Sequence, residues 1–409
     1  MVRNKKFMLL FSSTFFSSFG DAILFVILLT LLQQVGVGGI GTSVFLVCSA
    51  LPVVLFGLHA GAFVENKNLQ KIMMYSNLLR IITVFLFFIM SFYFIESLLL
   101  IFSFIFLITF INIFFSTASS TLIPNILSVE EIPKANGFFR MINMISKLIA
   151  YGFAALLFIF NLTDYSKILF ASLFYLGSLI LISRIKPYVE KKRDELTPRK
   201  SLSESTKEGL QYIKANNKIF RLFIVFGLGW IVGASIDVYL ISYLHEIIGE
   251  GANSLYMVAT PTFIGILIGS IVSPILYKKI DKKYGFLFSL FTFGVVIFCF
   301  SLELPFIVLQ LLLVVGGLSQ GILNIFMVSY LQTNVDRNYL ARVFSVYNII
   351  ITAASVPGYL LIGLLIEKLG VINIGFVISS YLIAVGVICL IIIPSLNTEK
   401  ELHLENSSA

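Results

Sequence analysis

Charge is what this chain has least of. Asp, Glu, Lys and Arg make up 12% of its 409 residues, about half of the roughly 25% usual in soluble domains. With 58% hydrophobic residues and a mean hydropathy of +0.98, that scarcity excludes a soluble fold and defines an integral membrane protein. Cysteine is scarce too. Cys48, Cys299 and Cys389 fall in separate apolar runs without paired spacing, so neither a disulfide nor a metal cluster is expected and all three read as packing residues. The short alternating segments of a barrel are missing. So is a Gly-rich phosphate loop ending in Lys-Ser/Thr, and no soluble nucleotide domain fits the loops, which excludes ATP coupling within this chain. His59, His245 and His403 are scattered. No Ser-His-Asp or metal-ligand spacing appears, so neither an enzyme nor a cofactor is expected.

What the chain does have is long apolar runs that approach or exceed the ~20 residues needed to cross ~30 Å of hydrocarbon. Six spans are predicted in the first half, at 7–33, 40–63, 72–95, 98–122, 138–160 and 168–185. Six more follow at 220–244, 255–276, 286–302, 306–332, 343–366 and 374–393. The basic start, Met1-Val-Arg-Asn-Lys-Lys6, leads into a run far longer than a signal peptide's 7–15-residue core, so it is expected to be retained as a span.

The net charge of +8 has a topological meaning rather than one of nucleic-acid binding. Lys and Arg crowd before the first span, at Lys67 and Lys71, at Lys278, Lys279, Lys282 and Lys283, and from Arg184 to Arg221, while the alternate loops hold almost none beyond Lys167 and Lys368. Because cytoplasmic loops retain positive charge, both termini and the middle segment are expected inside, in the cell membrane. The middle segment reads as a solvated linker followed by a short surface helix with Leu210 and Ile213 on one face.

The two halves resemble each other at three landmarks. Ser13, Ser17 and Asp21 in the first span repeat as Gly229, Gly233 and Asp237 in the seventh, at the same i, i+4, i+8 spacing. A short basic loop follows the second span of each half. Glu131-Ile-Pro-Lys-Ala-Asn-Gly-Phe138 and Arg337-Asn-Tyr-Leu-Ala-Arg-Val-Phe344 follow each fourth span. The expected domains are a six-helix bundle at 1–187, a cytoplasmic linker at 188–219, a second bundle at 220–396 and a tail at 397–409. Two such bundles form the architecture of many secondary transporters, with the substrate site near the midplane.

Four strongly ionisable residues lie within spans: Asp21, Arg80, Lys147 and Asp237. Charge at that depth is costly and commonly marks a substrate or proton path. A carboxylate in low dielectric has its charged form disfavoured, which makes a proton switch chemically available. Deprotonated, Asp21 would hold a cation; protonated, it would release it. The other reading is a structural strut, with Asp21 permanently paired to Lys147 or Arg80. Asn112, Ser116 and Ser120 share a face of the fourth span, as Gln320 and Asn324 do on the tenth. Such rows line a pathway or hold helices together. Gly229-x-x-x-Gly233 and Gly265-x-x-x-Gly269 read as close-packing surfaces.

Ser18-Phe-Gly-Asp21, Leu51-Pro52, Gly61 to Lys71, Ser76-Asn-Leu-Leu-Arg80, Leu122 to Gly137 and Glu208-Gly-Leu-Gln-Tyr-Ile213 together resemble the major facilitator superfamily, and within it the macrolide-efflux-type drug exporters. Glu65-Asn66 stands where the superfamily's loop signature has Asp-Arg, and Ala150-Tyr-Gly-Phe-Ala-Ala155 where antiporters of this kind often carry Gly-Pro. The resemblance implies an all-α fold of twelve transmembrane helices in two pseudo-symmetric bundles. It implies that Asp21, Asp237 and Ser17 face a central cavity, that Lys147 flanks it, and that Glu65, Lys71 and Arg80 serve as gating or structural charges. The expected activity is export of amphiphilic, cationic small molecules by proton antiport. Dedicated export of an endogenous metabolite, such as a siderophore or peptide product, and a non-transporting sensor are the alternatives. Gly-Asp in the first span also resembles ferroportin-type metal exporters, but a soft metal would want His or Cys beside Asp21 and that span has neither. The expected partners are a small-molecule substrate, protons and the lipid bilayer, with no nucleic acid and a monomeric state.

Overall fold

The computed structural model describes residues 4–64, 67–94, 97–127, 131–160, 164–185 and 202–393. Thirteen α-helices account for nearly all of them. Six lie in the first half: α1 (Lys5–Gln34), α2 (Gly39–Val64), α3 (Leu69–Phe94), α4 (Leu98–Ile126), α5 (Ile132–Ile159) and α6 (Asp164–Ser183). A shorter α7 (Leu202–Ala215) precedes α8 (Asn217–Glu246), α9 (Tyr256–Lys279), α10 (Lys282–Phe300), α11 (Phe306–Asn334), α12 (Arg337–Leu369) and α13 (Val371–Ile392). Every helix except α7 is long and apolar enough to cross a membrane, which makes twelve spans. The expected spans correspond to these one for one. The largest differences are at the starts of α5 and α12, which begin six residues before the apolar runs do.

Helix ends follow local chemistry. The Asn4 side chain caps α1 by accepting from the Lys6 and Phe7 N–H groups at 3.0 and 3.3 Å, and donates to the Ile126 carbonyl at the end of α4. Asp281 caps α10 through the Lys283 N–H at 2.9 Å. Between α12 and α13, Gly370 takes φ +79°, a left-handed conformation that favours glycine. Pro52, Pro261, Pro274 and Pro357 lie inside helices that continue through them, as membrane helices allow when neighbours satisfy the freed carbonyls.

The chain divides into two compact units, Met1–Arg199 with Leu244–Tyr256, and Lys200–Tyr243 with Met257–Ala409. In the first, α1 is the axis: it packs against α4, α5 and α6, while α3 packs against α4 and α6. The segment after α8 joins this unit, because the Gln33 side chain at the end of α1 accepts from the Ala252 N–H at 2.7 Å. In the second unit α10 packs on α11 and α13. There Gly265 and Gly269 of α9 lie against the α11 backbone at Val314 and Leu318, with Gly317 and Gly321 facing Thr262 and Ile266 in return. Any Cβ at these four places would collide with main chain, so Gly265-x-x-x-Gly269 is the close-packing surface expected of it, whereas Gly229-x-x-x-Gly233 is not: a Cβ at Gly233 meets nothing within 4 Å and one at Gly229 meets only side chains.

Polar residues and large apolar ones are distributed as a bilayer requires. Tyr93, Leu99, Ile159 and Ile391 are 74–80% exposed, a waste of apolar area unless lipid covers them. Arg80 and Ser17 are at most 1% exposed.

α7 is a surface helix, but of its two expected apolar contacts only Ile213 is buried, at 3%, while Leu210 is 43% exposed. Its anchor is instead polar and aromatic. Tyr212 stacks on Tyr339 with centroids 4.6 Å apart, Glu208 pairs with Arg342 at 2.8 Å, and Gly209 lies against the Arg342 backbone. A Cβ on Gly209 would sit 2.7 Å from that carbonyl oxygen. Gly209→Ala is therefore expected to push α7 off α12 and cost about 1–3 kcal/mol, read as a lower unfolding temperature of the purified protein in detergent.

Candidate functional site

The charged group buried deepest in the first unit is Arg80. Its guanidinium reaches from α3 into the space between α1, α4 and α6, where it is fully buried. One terminal nitrogen, Nη1, donates to Ser17 Oγ at 2.6 Å; the other, Nη2, donates to Asn112 Oδ1 at 2.5 Å. The rings of Phe115 and Tyr175 flank it, with centroids 5.1 and 5.2 Å from Cζ, a range in which aromatic faces attract a cation. Asp21 supplies the neutralising charge: Oδ1 lies 3.5 Å from Nη1, and the same oxygen accepts from the Tyr175 hydroxyl at 2.6 Å. The carboxylate side chain is 25% exposed.

Gly20 explains how these groups meet. A Cβ there would lie 3.0 Å from the Tyr175 ring and 3.2 Å from the Ala171 carbonyl, so glycine lets α6 approach α1 closely enough for the hydroxyl to reach the next residue, Asp21. One helical turn along, Asn77 donates to Ser178 Oγ at 2.9 Å and Ser178 donates to the Ser13 carbonyl at 2.8 Å. This second chain ties α3 to α6 and α6 to α1, fixing Arg80 from behind.

The expected site residues scatter around this cluster. Asp21, Ser17, Asn112 and Arg80 come together. Ser17 is buried against Arg80 instead of lining an open surface, and Asn112 is half-buried. Arg80, expected as a gating or structural charge, belongs to the core of its unit. Ser116 and Ser120 are exposed further along α4. Lys147 is exposed on α5 and makes no ion pair among the described residues, so Arg80 is the cation found beside Asp21. Lys71 is exposed at the rim of a groove that also involves Tyr75, Phe110 and Phe114. At 100° per residue this groove lies on roughly the opposite face of α4 from Asn112. Glu65 and Asn66, like the linker before Leu202 and the tail after Ile393, lie outside the described residues. In the second unit Asp237 is exposed on α8, with Tyr359 of α12 within reach of its field; Gln320 and Asn324 are half-buried on α11. Among the described residues no group of three or more His, Cys, Asp or Glu gathers into a metal site.

The sequence reading missed Tyr175, Phe115 and the Asn77–Ser178 pair. A faint signal existed for Asn77, three residues before Arg80 and hence on its face of α3.

Twelve membrane-crossing helices in two six-helix units, with a buried charge cluster in one, define a secondary-transporter architecture. The chain belongs to the major facilitator superfamily, whose family model matches residues 10–359, and it is a transporter rather than an enzyme. Macrolide efflux protein A of Streptococcus pyogenes is 23% identical over 368 residues, covering 87% of each chain. Among solved structures, the nucleoside transporter NupG superposes with a TM-score of 0.74 at 12% identity over 95% of this chain and 99% of that one. A bacterial homologue of the iron transporter ferroportin, in an inward-facing state, gives 0.72 at 14% identity over 95% and 98%. These likenesses establish the fold; at such identities they leave the substrate open.

Proposed function

We propose that the protein is a secondary exporter of amphiphilic, cationic small molecules from the cell, driven by proton antiport with alternating access, with both termini in the cytoplasm. The observation that carries the reading is the way the Asp21–Arg80 pair is held. The two short bonds of Arg80 go to neutral oxygens, while the short bond of Asp21 comes from Tyr175. Each charge therefore keeps its anchors when the other changes state. With Asp21 deprotonated the cluster is neutral and tolerates an approaching cation. With Asp21 protonated, the cluster carries the uncompensated charge of Arg80 and repels one. Proton and substrate then exclude each other at a partly exposed carboxylate, which is the requirement for antiport.

The direction of transport draws on the relative named for macrolide efflux, and the orientation on the distribution of Lys and Arg. A macrolide bearing a basic amino group is accordingly the first substrate to try. In proteoliposomes loaded with acid, the protein is expected to accumulate the labelled macrolide at least several-fold over empty vesicles, and collapse of the pH gradient is expected to abolish the difference. Equal accumulation with and without the gradient would refute antiport.

A further inference from the structure

The side of α3 that borders the groove grades from charge to hydrocarbon. Lys71, Tyr75 and Leu79 follow one another at i, i+4 and i+8, so they lie along one face of the helix, and all three are exposed. The opposite wall comes from α4, with the half-buried rings of Phe110 and Phe114, and Phe63 of α2 stands at the charged end. Together the three helices border about 520 Å³ of space open to the surface, within the ~300–1,000 Å³ of small-molecule sites.

Two ammonium groups mark one end of this groove. Lys67 lies over the Phe63 ring, its Nζ 3.4 Å from the centroid, which holds the ammonium at the rim. Lys71 follows four residues on, its backbone N–H donating to the Asn68 side chain at 3.1 Å. Among the described residues neither ammonium forms an ion pair, and no acidic side chain lines the groove.

The groove also has the depth of a leaflet. Lys71 to Leu79 is eight residues, or ~12 Å at 1.5 Å each, most of the ~15 Å that one leaflet contributes to a ~30 Å hydrocarbon core. Charge at the rim, a phenol one turn in, and aliphatic and phenyl walls beyond match in order a phosphate, an ester-bearing backbone and an acyl chain. A soluble anion would leave the apolar walls unfilled. An uncharged chain would leave both ammonium groups uncompensated, and the cations of the exporter reading would be repelled.

We propose that this groove binds one anionic phospholipid, its phosphate held by Lys67 and Lys71 and an acyl chain laid along α3 against the α4 rings. Under the orientation proposed above the lipid belongs to the cytoplasmic leaflet, where anionic headgroups meet basic segments.

The test is native mass spectrometry of the full-length protein, stripped of lipid in detergent and titrated with palmitoyl-oleoyl phosphatidylglycerol or its zwitterionic phosphatidylcholine counterpart. The first phosphatidylglycerol is expected to bind at least tenfold more tightly than phosphatidylcholine. The double variant Lys67→Gln, Lys71→Gln should remove that preference. Lys278→Gln, Lys279→Gln, which deletes the same charge from exposed positions in the second unit, should keep it. Leu79→Trp, which places a bulky ring in the apolar part of the groove, should weaken phosphatidylglycerol at least threefold. All variants alter exposed positions and are expected to elute as the wild type does. Glycerol 3-phosphate, a headgroup without chains, is expected not to compete. Equal affinity for the two lipids, or equal loss of preference in the two double variants, would mean general attraction and would overturn the proposal. Competition by glycerol 3-phosphate would reassign the groove to a soluble anion, and unchanged binding by Leu79→Trp would remove the chain from it; either overturns the lipid assignment. Binding is read without flux, so this inference and the exporter reading fail separately.

Discussion

Asp21→Asn is expected to abolish macrolide accumulation driven by a pH gradient, reducing it to the level of empty vesicles, while the protein still inserts and elutes as the wild type does. Asparagine keeps an oxygen for the Tyr175 hydroxyl, so the bond that fixes position 21 survives. What is lost is the exchangeable negative charge. Arg80, fully buried, then carries its positive charge permanently, and the cluster behaves like the protonated wild type at every pH. Its two neutral acceptors and the partial exposure of position 21 limit the stability loss to about 1–3 kcal/mol. The accumulation measurement, made on vesicles matched for protein content, separates this coupling defect from loss of protein. Undiminished accumulation by Asp21→Asn would remove Asp21 from the coupling step.

Replacing Arg80 by Leu is expected to have the largest effect on stability, about 3–5 kcal/mol. Ser17, buried, and Asn112, half-buried, each lose a charge-assisted donor, and Asp21 loses its counter-charge. Low membrane yield and a lower unfolding temperature in detergent would be the signs. The double variant Asp21→Asn, Arg80→Gln removes both charges while retaining polar side chains. Neutralising the pair together is expected to recover most of the stability lost on replacing Arg80 alone, since no uncompensated charge stays buried. Coupling is not expected to return, because no titratable carboxylate is left. Were the pair only a strut, the double variant would restore gradient-driven accumulation along with stability.

How much of this was legible beforehand depends on range. The twelve spans were readable because a helix must present ~20 apolar residues to cross lipid, and the charge distribution marked the loops. The duplication showed in Asp21 and Asp237 because their spacing to small residues is local to one helix. Partnership is not local. Nothing in the residues between Arg80 and Tyr175 states that α3 and α6 both pack on α1's neighbourhood, so the reading left Asp21 with two possible cations and gave Lys147 equal standing. Packing decides it: Arg80 reaches the core, whereas Lys147 lies on the exposed side of α5. The repeat also suggested that Asp237 mirrors Asp21, yet the twelfth residue of α3 is Arg80 while the twelfth of α10 is Phe293, and Asp237 is exposed. Duplication preserved the frame and let the contents diverge.

The most direct test of the coupling scheme is proton movement itself. Proteoliposomes containing a pH-sensitive dye, with no imposed gradient, would receive the macrolide on one side. The account predicts that wild-type protein moves protons opposite to the substrate and that Asp21→Asn gives no proton signal. Proton movement of wild-type size in Asp21→Asn, or macrolide flux through the wild type with no proton movement, would contradict it.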